Sequence, residues 1–246
     1  MDIEYGEGDR ATGESFRRLA EAADEFEAYA HPHASRIAQI ADALAARFRL
    51  SRADRTSIVF AALLHDVGEM TMRRDYIRRA GPLNDPERAD LQRHPVIGEQ
   101  EAARAGAERA VQLLVRWHQE WWDGSGYPDA LRGEQIPLGA RILRVADAYA
   151  ALTDARPFRP AGTEAEARKH LTLWAGLEFD PRVVGALLSL EPMPELRSHA
   201  RPPEPKVEEK TEAAAAPTAT EAADNNAQDE EVAQAARVGA SDNEKL

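Results

Sequence analysis

Three histidines lie on the apolar faces of three predicted helices, where carbon side chains would be expected. His33 precedes Ile37 by four residues, His65 ends an unusually apolar run, and His118 follows Leu114 by four residues. At about 100° per residue, these spacings place each imidazole among the apolar side chains of its own helix. One such histidine is usually a core residue bonded to a backbone carbonyl, but three on separate helices favour a shared site.

Carboxylates accompany these histidines. Asp66 follows His65 directly and would lie near the core, which is costly unless the carboxylate is paired or bound to a cation. Asp147 lies at the edge of the apolar face of a later helix, where alone it would be interpreted as a solvated border residue. His94 stands before Pro95 and is a further candidate. Imidazoles and carboxylates on separate helices have the makeup of a metal site within a helical bundle.

The composition limits which metals and partners are plausible. The chain has no cysteine, so a metal would be held by His, Asp, Glu or Gln, which favours hard or borderline ions. A formal charge of -12 argues against binding to a nucleic-acid polymer or an anionic membrane. The longest apolar run, residues 58–64, is too short to cross a bilayer, and the first residues lack a signal-peptide pattern. A soluble, unexported, cytoplasmic protein is therefore predicted.

Helical periodicity runs through most of the chain, and no alternating run of β-branched residues interrupts it. The predicted fold class is all-α, a helical bundle with a metal site between core helices. Ser51 is the predicted N-cap of the most buried helix, and Gly68 is predicted to end it. A turn-rich break covers Asp123-Gly-Ser-Gly-Tyr-Pro128, and the helix that follows Pro137 is predicted to reach about Thr153.

Three regions are predicted along the chain. Residues 1–30 form an amphipathic helix packed on the core, and residues 31–195 form the domain that carries the candidate site. Residues 196–246 are predicted to be a disordered tail rich in Ala, Glu and Pro, with eleven acidic and five basic residues from position 201 onward. Since this segment offers almost no large apolar side chains, burial cannot offset the loss of chain entropy.

The motifs, taken in order, resemble those of the HD-GYP family, a branch of the HD metal-dependent phosphohydrolases associated with cleavage of cyclic di-GMP. They are His33-Ala-Ser-Arg-Ile37, Leu64-His-Asp-Val-Gly68, His94-Pro-Val-Ile-Gly98, His118-Gln-Glu120, Asp123-Gly-Ser-Gly-Tyr-Pro128, Arg141-Ile-Leu-Arg-Val-Ala-Asp147, Arg156-Pro-Phe-Arg159 and Phe179-Asp-Pro181. The resemblance extends from about residue 31 to residue 190. It implies an HD-type bundle and an enzyme of bacterial signalling that opens a cyclic dinucleotide and works with signalling protein partners.

The resemblance also implies roles for particular residues. Two divalent ions, Fe or Mn, would be held by two groups that share Asp66: His33, His65, Asp66 and Asp147 in one, and Asp66, His94 and His118 in the other. Asp66 and Asp147 would be the catalytic carboxylates, and a bridging water activated by the metals would attack phosphorus. The residues implied in substrate binding are Gly126, Tyr127, Pro128, Arg156 and Arg159.

Departures from the family pattern occur at the site itself. Gln119 replaces a second histidine, Glu69 replaces a lysine and Ala150 replaces an aspartate. They predict a weaker second metal and poorer phosphate binding, unless Glu69 faces inward and binds metal itself. Tyr29 stands where some members have a glutamate, so a third metal is not expected.

Two main functions stay open from the sequence. One is a phosphodiesterase that converts cyclic di-GMP to the linear dinucleotide or to GMP. The alternative is a degenerate, non-catalytic module that binds a nucleotide or a signalling partner, and a lesser one is an HD phosphohydrolase acting on another nucleotide.

Overall fold

A computed structural model describes residues 7–29, 32–79, 81–155 and 160–190. The chain divides into two units, residues 1–201 and 202–246, and every described residue lies in the first. Ten α-helices follow in chain order: α1 Glu7–Phe26, α2 His33–Arg47, α3 Arg52–Leu64, α4 Val67–Met72, α5 Asp85–Leu91, α6 His94–Arg104, α7 Arg109–Trp117, α8 Leu138–Thr153, α9 Glu164–Leu173 and α10 Pro181–Leu188. Short 3₁₀ turns cover Asp75–Arg78 and Gly133–Gln135.

The all-α prediction is confirmed: the described ranges contain no β-strand, only an isolated bridge between Ala175 and Phe179. None of the helices in those ranges has the length and apolar character to cross a membrane. The predicted tail, residues 196–246, lies outside the described part and stays a prediction.

Helix α3 lies at the centre of the bundle and packs against α1, α2, α7 and α8. Its residues from Ile58 to Leu64 are all buried, as an all-round apolar sequence requires. Ser51 caps its N-terminus by accepting a hydrogen bond from the backbone N–H of Asp54 at 3.1 Å, as predicted. Helix α1 packs on α3, with the ring of Phe16 at 5.1 Å from that of Phe60.

Gly68 does not end α3, and that prediction was wrong. Helix α3 ends at Leu64, and Gly68 lies within α4. A Cβ atom at Gly68 would approach the carbonyl oxygen of His94 to 2.1 Å and the backbone nitrogen of Gly98 to 2.8 Å. The glycine is therefore needed for the close packing of α4 against α6, which brings the start of α6 beside the junction of α3 and α4.

Candidate metal centre

All six predicted metal ligands converge between the helices of the bundle. They are His33 at the start of α2, His65 and Asp66 between α3 and α4, His94 at the start of α6, His118 at the end of α7, and Asp147 in α8. Five of these residues stand at helix ends or junctions and Asp147 lies within α8, and their side chains converge between the helices.

Three of the histidines are oriented by the same type of hydrogen bond. The Nδ1 atoms of His65, His94 and His118 each donate to the backbone carbonyl three residues earlier, at 2.9, 2.8 and 2.7 Å. With Nδ1 as the donor, Nε2 is the atom with the free lone pair. All three imidazoles therefore direct a potential metal-binding nitrogen into the centre of the bundle.

His33 is oriented by a side chain instead. Its Nδ1 donates to Asp154 Oδ2 at 2.7 Å, and the other oxygen of Asp154 forms an ion pair with Arg36. The backbone N–H of Ala34 donates to the Asp24 carboxylate at 3.2 Å and so fixes the start of α2. The sequence analysis missed Asp154, since nothing in the pattern joins residues 121 positions apart. A carboxylate behind a histidine fixes the tautomer and raises the basicity of the imidazole.

We expect Asp154→Asn to weaken metal binding at the His33 site by about 10- to 100-fold, because the imidazole loses its carboxylate partner. Manganese titration by calorimetry would measure the loss. As a control, Asp42→Asn removes a carboxylate of α2 that is paired with Arg55 of α3. Equal manganese affinity in wild type and Asp154→Asn would contradict this role of Asp154.

The ligand atoms form two groups that meet at Asp66. In the first group, ligand atoms of His33, His65 and Asp147 lie within 4.8 Å of one another. In the second, Asp66 Oδ1 lies 3.5 Å from His94 Nε2 and 3.6 Å from His118 Nε2. The other oxygen of Asp66 lies 2.9 Å from His65 Nε2. Asp66 thus directs one oxygen toward each group, as a bridging ligand would.

Whether these residues fit a metal can be judged from the buried polar atoms at the centre that have no hydrogen-bond partner in the described part of the chain. His33 Nε2, His65 Nε2 and Asp66 Oδ1 are buried and have no hydrogen-bond partner among the described residues, since the 2.9 Å contact of His65 with Asp66 lacks hydrogen-bonding geometry. The Nε2 atoms of His94 and His118 face each other at 3.3 Å, although both carry lone pairs. Buried acceptors that face one another are costly unless a cation lies between them, so the residues fit divalent ions.

Burial and charge set opposing protonation states within the centre. Burial lowers the pKa of His94 to about 4, so this imidazole is neutral near pH 7. Burial also disfavours protonation of His65, but the adjacent Asp66 carboxylate outweighs it and, with Asp147, raises the pKa of His65 to about 10. The pKa of Asp66 lies well below its ordinary value because the neighbouring histidines outweigh its own burial. In the metal-free protein, the proton on His65 therefore offsets part of the negative charge that a cation would otherwise neutralise.

Metal affinity should consequently rise with pH. His65 is protonated below a pKa of about 10 in the metal-free protein, and a metal must displace that proton. We expect the affinity for manganese to rise about tenfold per pH unit between pH 7 and pH 9, with release of at least one proton. Calorimetry in buffers of different ionisation enthalpy measures that release. Binding without proton release at pH 7.5 would contradict the protonation state of His65.

A cavity of about 310 Å³ opens onto the centre. Its lining includes two of the predicted ligands, Asp66 and Asp147, together with Tyr29, Tyr76 and Arg79. The sequence analysis did not place Tyr76 or Arg79 at the site, because their segment reads as a solvated face of alternating charges. Arg156 and Arg159, which were predicted to bind substrate, lie outside the described residues.

A model of the HD domain family matches residues 18–183. The chain belongs to the HD domain family. It is 38% identical to the cyclic di-GMP phosphodiesterase response regulator RpfG of Xanthomonas campestris pv. campestris, over 71% of this chain and 47% of that protein. It is 33% identical to 3'3'-cGAMP-specific phosphodiesterase 2 of Vibrio cholerae, over 63% of this chain and 30% of that protein.

A solved structure has a similar fold. Bd1817, an HDG"Y"P protein from Bdellovibrio bacteriovorus, matches with a TM-score of 0.53 and 21% identity, over 63% of this chain and 50% of that one. The HD-GYP resemblance carried by the motifs is confirmed. This HD domain chain spans less than half the length of the two curated relatives named above.

In this HD domain, the Gly-Tyr-Pro segment packs directly on the end of α7. A Cβ atom at Gly126 would lie 2.2 Å from the backbone nitrogen of Trp121, so only glycine fits there. The backbone N–H of Tyr127 donates to the carbonyl of Gln119 at 3.2 Å, and the Tyr127 ring lies 6.1 Å from the His94 ring. With Pro128, Tyr127 also lines a groove against α6.

Glu120 fixes the backbone of the residues that follow the Gly-Tyr-Pro segment in the HD domain. Its side chain is buried and accepts hydrogen bonds from the backbone N–H groups of Asp129 at 2.7 Å and Leu131 at 2.9 Å. Glu120 belongs to the motif His118-Gln-Glu120, but the sequence pattern predicted no role for it. Its position directly after two site residues was the available signal.

Two of the three departures from the HD-GYP pattern are already engaged with arginines. The side-chain oxygen of Gln119 accepts a hydrogen bond from Arg144 Nη1 at 2.8 Å. Ala150 is fully buried in α8, where its carbonyl accepts from Arg36. The amide oxygen of Gln119 would have to share its lone pairs with Arg144 to bind a metal.

Glu69, the third departure in this HD domain, faces inward. It is 9% exposed, and its carboxylate lies within 4.8 Å of those of Asp66 and Glu27. Burial, with the charges of Asp66 and Asp147, raises its pKa well above the ordinary value. The sequence analysis missed Glu27, which follows the last turn of α1. Tyr29, two residues further on, stacks its ring at 3.9 Å on the ring of His33.

Proposed function

We propose that this chain is a metal-dependent phosphodiesterase that hydrolyses cyclic di-GMP to the linear dinucleotide or to GMP. The observation that carries the proposal is the pair of ligand groups that meet at Asp66, with buried nitrogen atoms that have no partner among the described residues. The names of curated relatives, a cyclic di-GMP phosphodiesterase and a 3'3'-cGAMP-specific phosphodiesterase, support a cyclic dinucleotide as the substrate class.

The chain's own residues would hold two divalent ions, with iron or manganese suited to this mixture of imidazole and carboxylate ligands. His33, His65 and Asp147 would hold one, and His94 and His118 the other, with Asp66 between them. Bound ions would supply Lewis-acid chemistry, lowering the pKa of water and stabilising charge on the phosphate. The second ion would bind more weakly, because Gln119 offers its oxygen to Arg144.

Asp66 and Asp147 are the proposed catalytic carboxylates. Both line the cavity and carry the negative charge that would attract divalent cations. The imidazoles add ligand atoms without adding charge, which leaves an excess of positive charge for the phosphodiester. Glu27 and Glu69 would reduce this excess if both were ionised. Burial and the charges of Asp66 and Asp147 raise the pKa of Glu69, which opposes its ionisation.

Turnover by the full chain, purified without oxygen and loaded with manganese or with ferrous iron, tests the proposal. Cyclic di-GMP should disappear in step with metal content and yield linear dinucleotide or GMP, and 3'3'-cGAMP serves as the competing substrate. Preferential cleavage of 3'3'-cGAMP would overturn the choice of cyclic di-GMP but support the reaction class.

A non-catalytic module is the second candidate, and the engaged amide of Gln119 together with Ala150 favours it. Such a module would bind a cyclic dinucleotide or a signalling protein without turnover. Tight binding of cyclic di-GMP by the metal-loaded chain, with no product after prolonged incubation, would support this candidate over the enzyme.

A further inference from the structure

Arg144 joins three segments at the edge of the metal centre. From α8, its Nη1 donates to Gln119 Oε1 at 2.8 Å, just beyond α7. Its Nη2 forms an ion pair with the buried carboxylate of Glu178, ahead of α10. The same Nη1 also lies 3.4 Å from Asp147 Oδ2. Contacts with both acids and with Gln119 fix the guanidinium beside the candidate ligand Asp147.

The arginine determines which end of the Gln119 amide faces the cavity. Guanidinium nitrogens only donate hydrogen bonds, so the amide oxygen must face Arg144, since the reverse orientation would place two donors together. The amide nitrogen of Gln119 donates to no acceptor within the described ranges, and Gln119 lines the same cavity as Asp66 and Asp147. The amide nitrogen is therefore the end of Gln119 that is left to bond a ligand in the cavity, and an N–H donor cannot bind a cation.

We propose that Gln119 is a substrate-binding residue, which donates a hydrogen bond from its side-chain amide to a phosphate oxygen of the cyclic dinucleotide, and that Arg144 is its positioning residue. This inference rests on the proposed function. A phosphate oxygen is the acceptor because one guanidinium nitrogen contacts both Gln119 and Asp147, so the amide lies beside the ligands around which the scissile phosphate must sit.

Glu178 has a part in this arrangement. An unpaired guanidinium next to Asp147 would repel a cation, and the Glu178 carboxylate offsets that charge. Charge neutralisation lets Arg144 orient the amide without excluding metal from the first group of ligands. The network thus turns a position that could have supplied a metal ligand into one that contacts the substrate.

The test compares Gln119→Met, which keeps the length of the side chain and removes the donor, with wild type. We expect the Kd of the manganese-loaded full chain for cyclic di-GMP, measured by calorimetry, to rise about 10- to 100-fold, as for loss of a hydrogen bond to a charged group. Manganese content and thermal stability should stay unchanged. Gln112→Met is the control, because it removes an amide that is bonded to the carbonyl of Ala107 and does not line the cavity. It should change neither the Kd for cyclic di-GMP nor the manganese content.

Arg144 is tested through the same readouts. Arg144→Met should raise the Kd for cyclic di-GMP to a similar extent, and the double variant with Gln119→Met should be no worse than either single change. Arg144→Lys keeps one donor for the amide oxygen and should restore part of the affinity. Where turnover is measurable, the change should fall on KM rather than on kcat.

Several outcomes would overturn the inference. A fall in manganese content in Gln119→Met would make Gln119 a metal ligand, and a Kd for cyclic di-GMP within twofold of wild type would remove its substrate role. These measurements need no turnover, so a catalytically silent protein that loses affinity in Gln119→Met supports the inference while contradicting the enzyme. A wild type that binds no cyclic di-GMP when loaded with manganese overturns both proposals.

Discussion

Asp66→Asn is expected to lower cyclic di-GMP hydrolysis by at least about 1,000-fold, because the residue whose oxygens lie near ligand atoms of both groups loses its charge. It should also remove at least one metal ion per chain, measured by elemental analysis after gel filtration. In the metal-free protein, the pKa of His65 should fall, since the Asp66 carboxylate is the main group that raises it. Titration of His65 by NMR measures this directly.

The matched control for Asp66→Asn is Asp42→Asn. Asp42 is also paired with a cationic side chain, that of Arg55, but neither residue lines the cavity at the centre. It should keep metal content and activity near those of wild type. Full metal content in Asp66→Asn would show that the two ligand groups do not share this residue, and the bridging role would have to be abandoned.

Glu69→Lys, in contrast, is expected to raise the affinity for the substrate. At about 5 Å and an effective dielectric constant near 20, a unit charge is worth on the order of 3 kcal/mol against a phosphate, or about 100-fold in KM. The new ammonium group would lie close to Asp66, so metal affinity should fall at the same time. Steady-state kinetics across a manganese titration would separate the two effects.

Glu69→Gln is the control that distinguishes a charge effect from a ligand effect. Glutamine keeps the size of the Glu69 side chain and removes its charge, so this variant should retain the metal content of wild type near pH 7. Loss of a metal ion in Glu69→Gln would make Glu69 a ligand. In that case the glutamate is part of the centre and not a defect in phosphate binding.

The sequence was sufficient to find the candidate metal ligands, but not the residues that orient the side chains of the centre. His33 and His118 are recognisable because the face of a helix is periodic, so a polar residue on an apolar face is conspicuous. Asp154 and Arg144 follow no local period. They act across long separations in the chain, and only the packing of α2 and α7 against α8 brings them into contact.

Gly68 and Glu69 show a second limit of the sequence. A glycine near a helix end has two common explanations, a left-handed cap or a close approach of backbones, and local sequence does not distinguish them. A glutamate beside a site was likewise taken at its ordinary charge. Its depth and its acidic neighbours, which raise its pKa, depend on three-dimensional packing.

The hydrogen bonds behind the four imidazoles differ in how readily heritable variation can alter them. His65, His94 and His118 rely on backbone carbonyls, which are present whatever residue occupies those positions. His33 relies on the side chain of Asp154, which a single codon change can remove or weaken. Substitutions at position 154 can therefore change the basicity of His33 in small steps. The basicity of the other three histidines depends on the backbone of the helices and is not altered by substituting the residue whose carbonyl accepts.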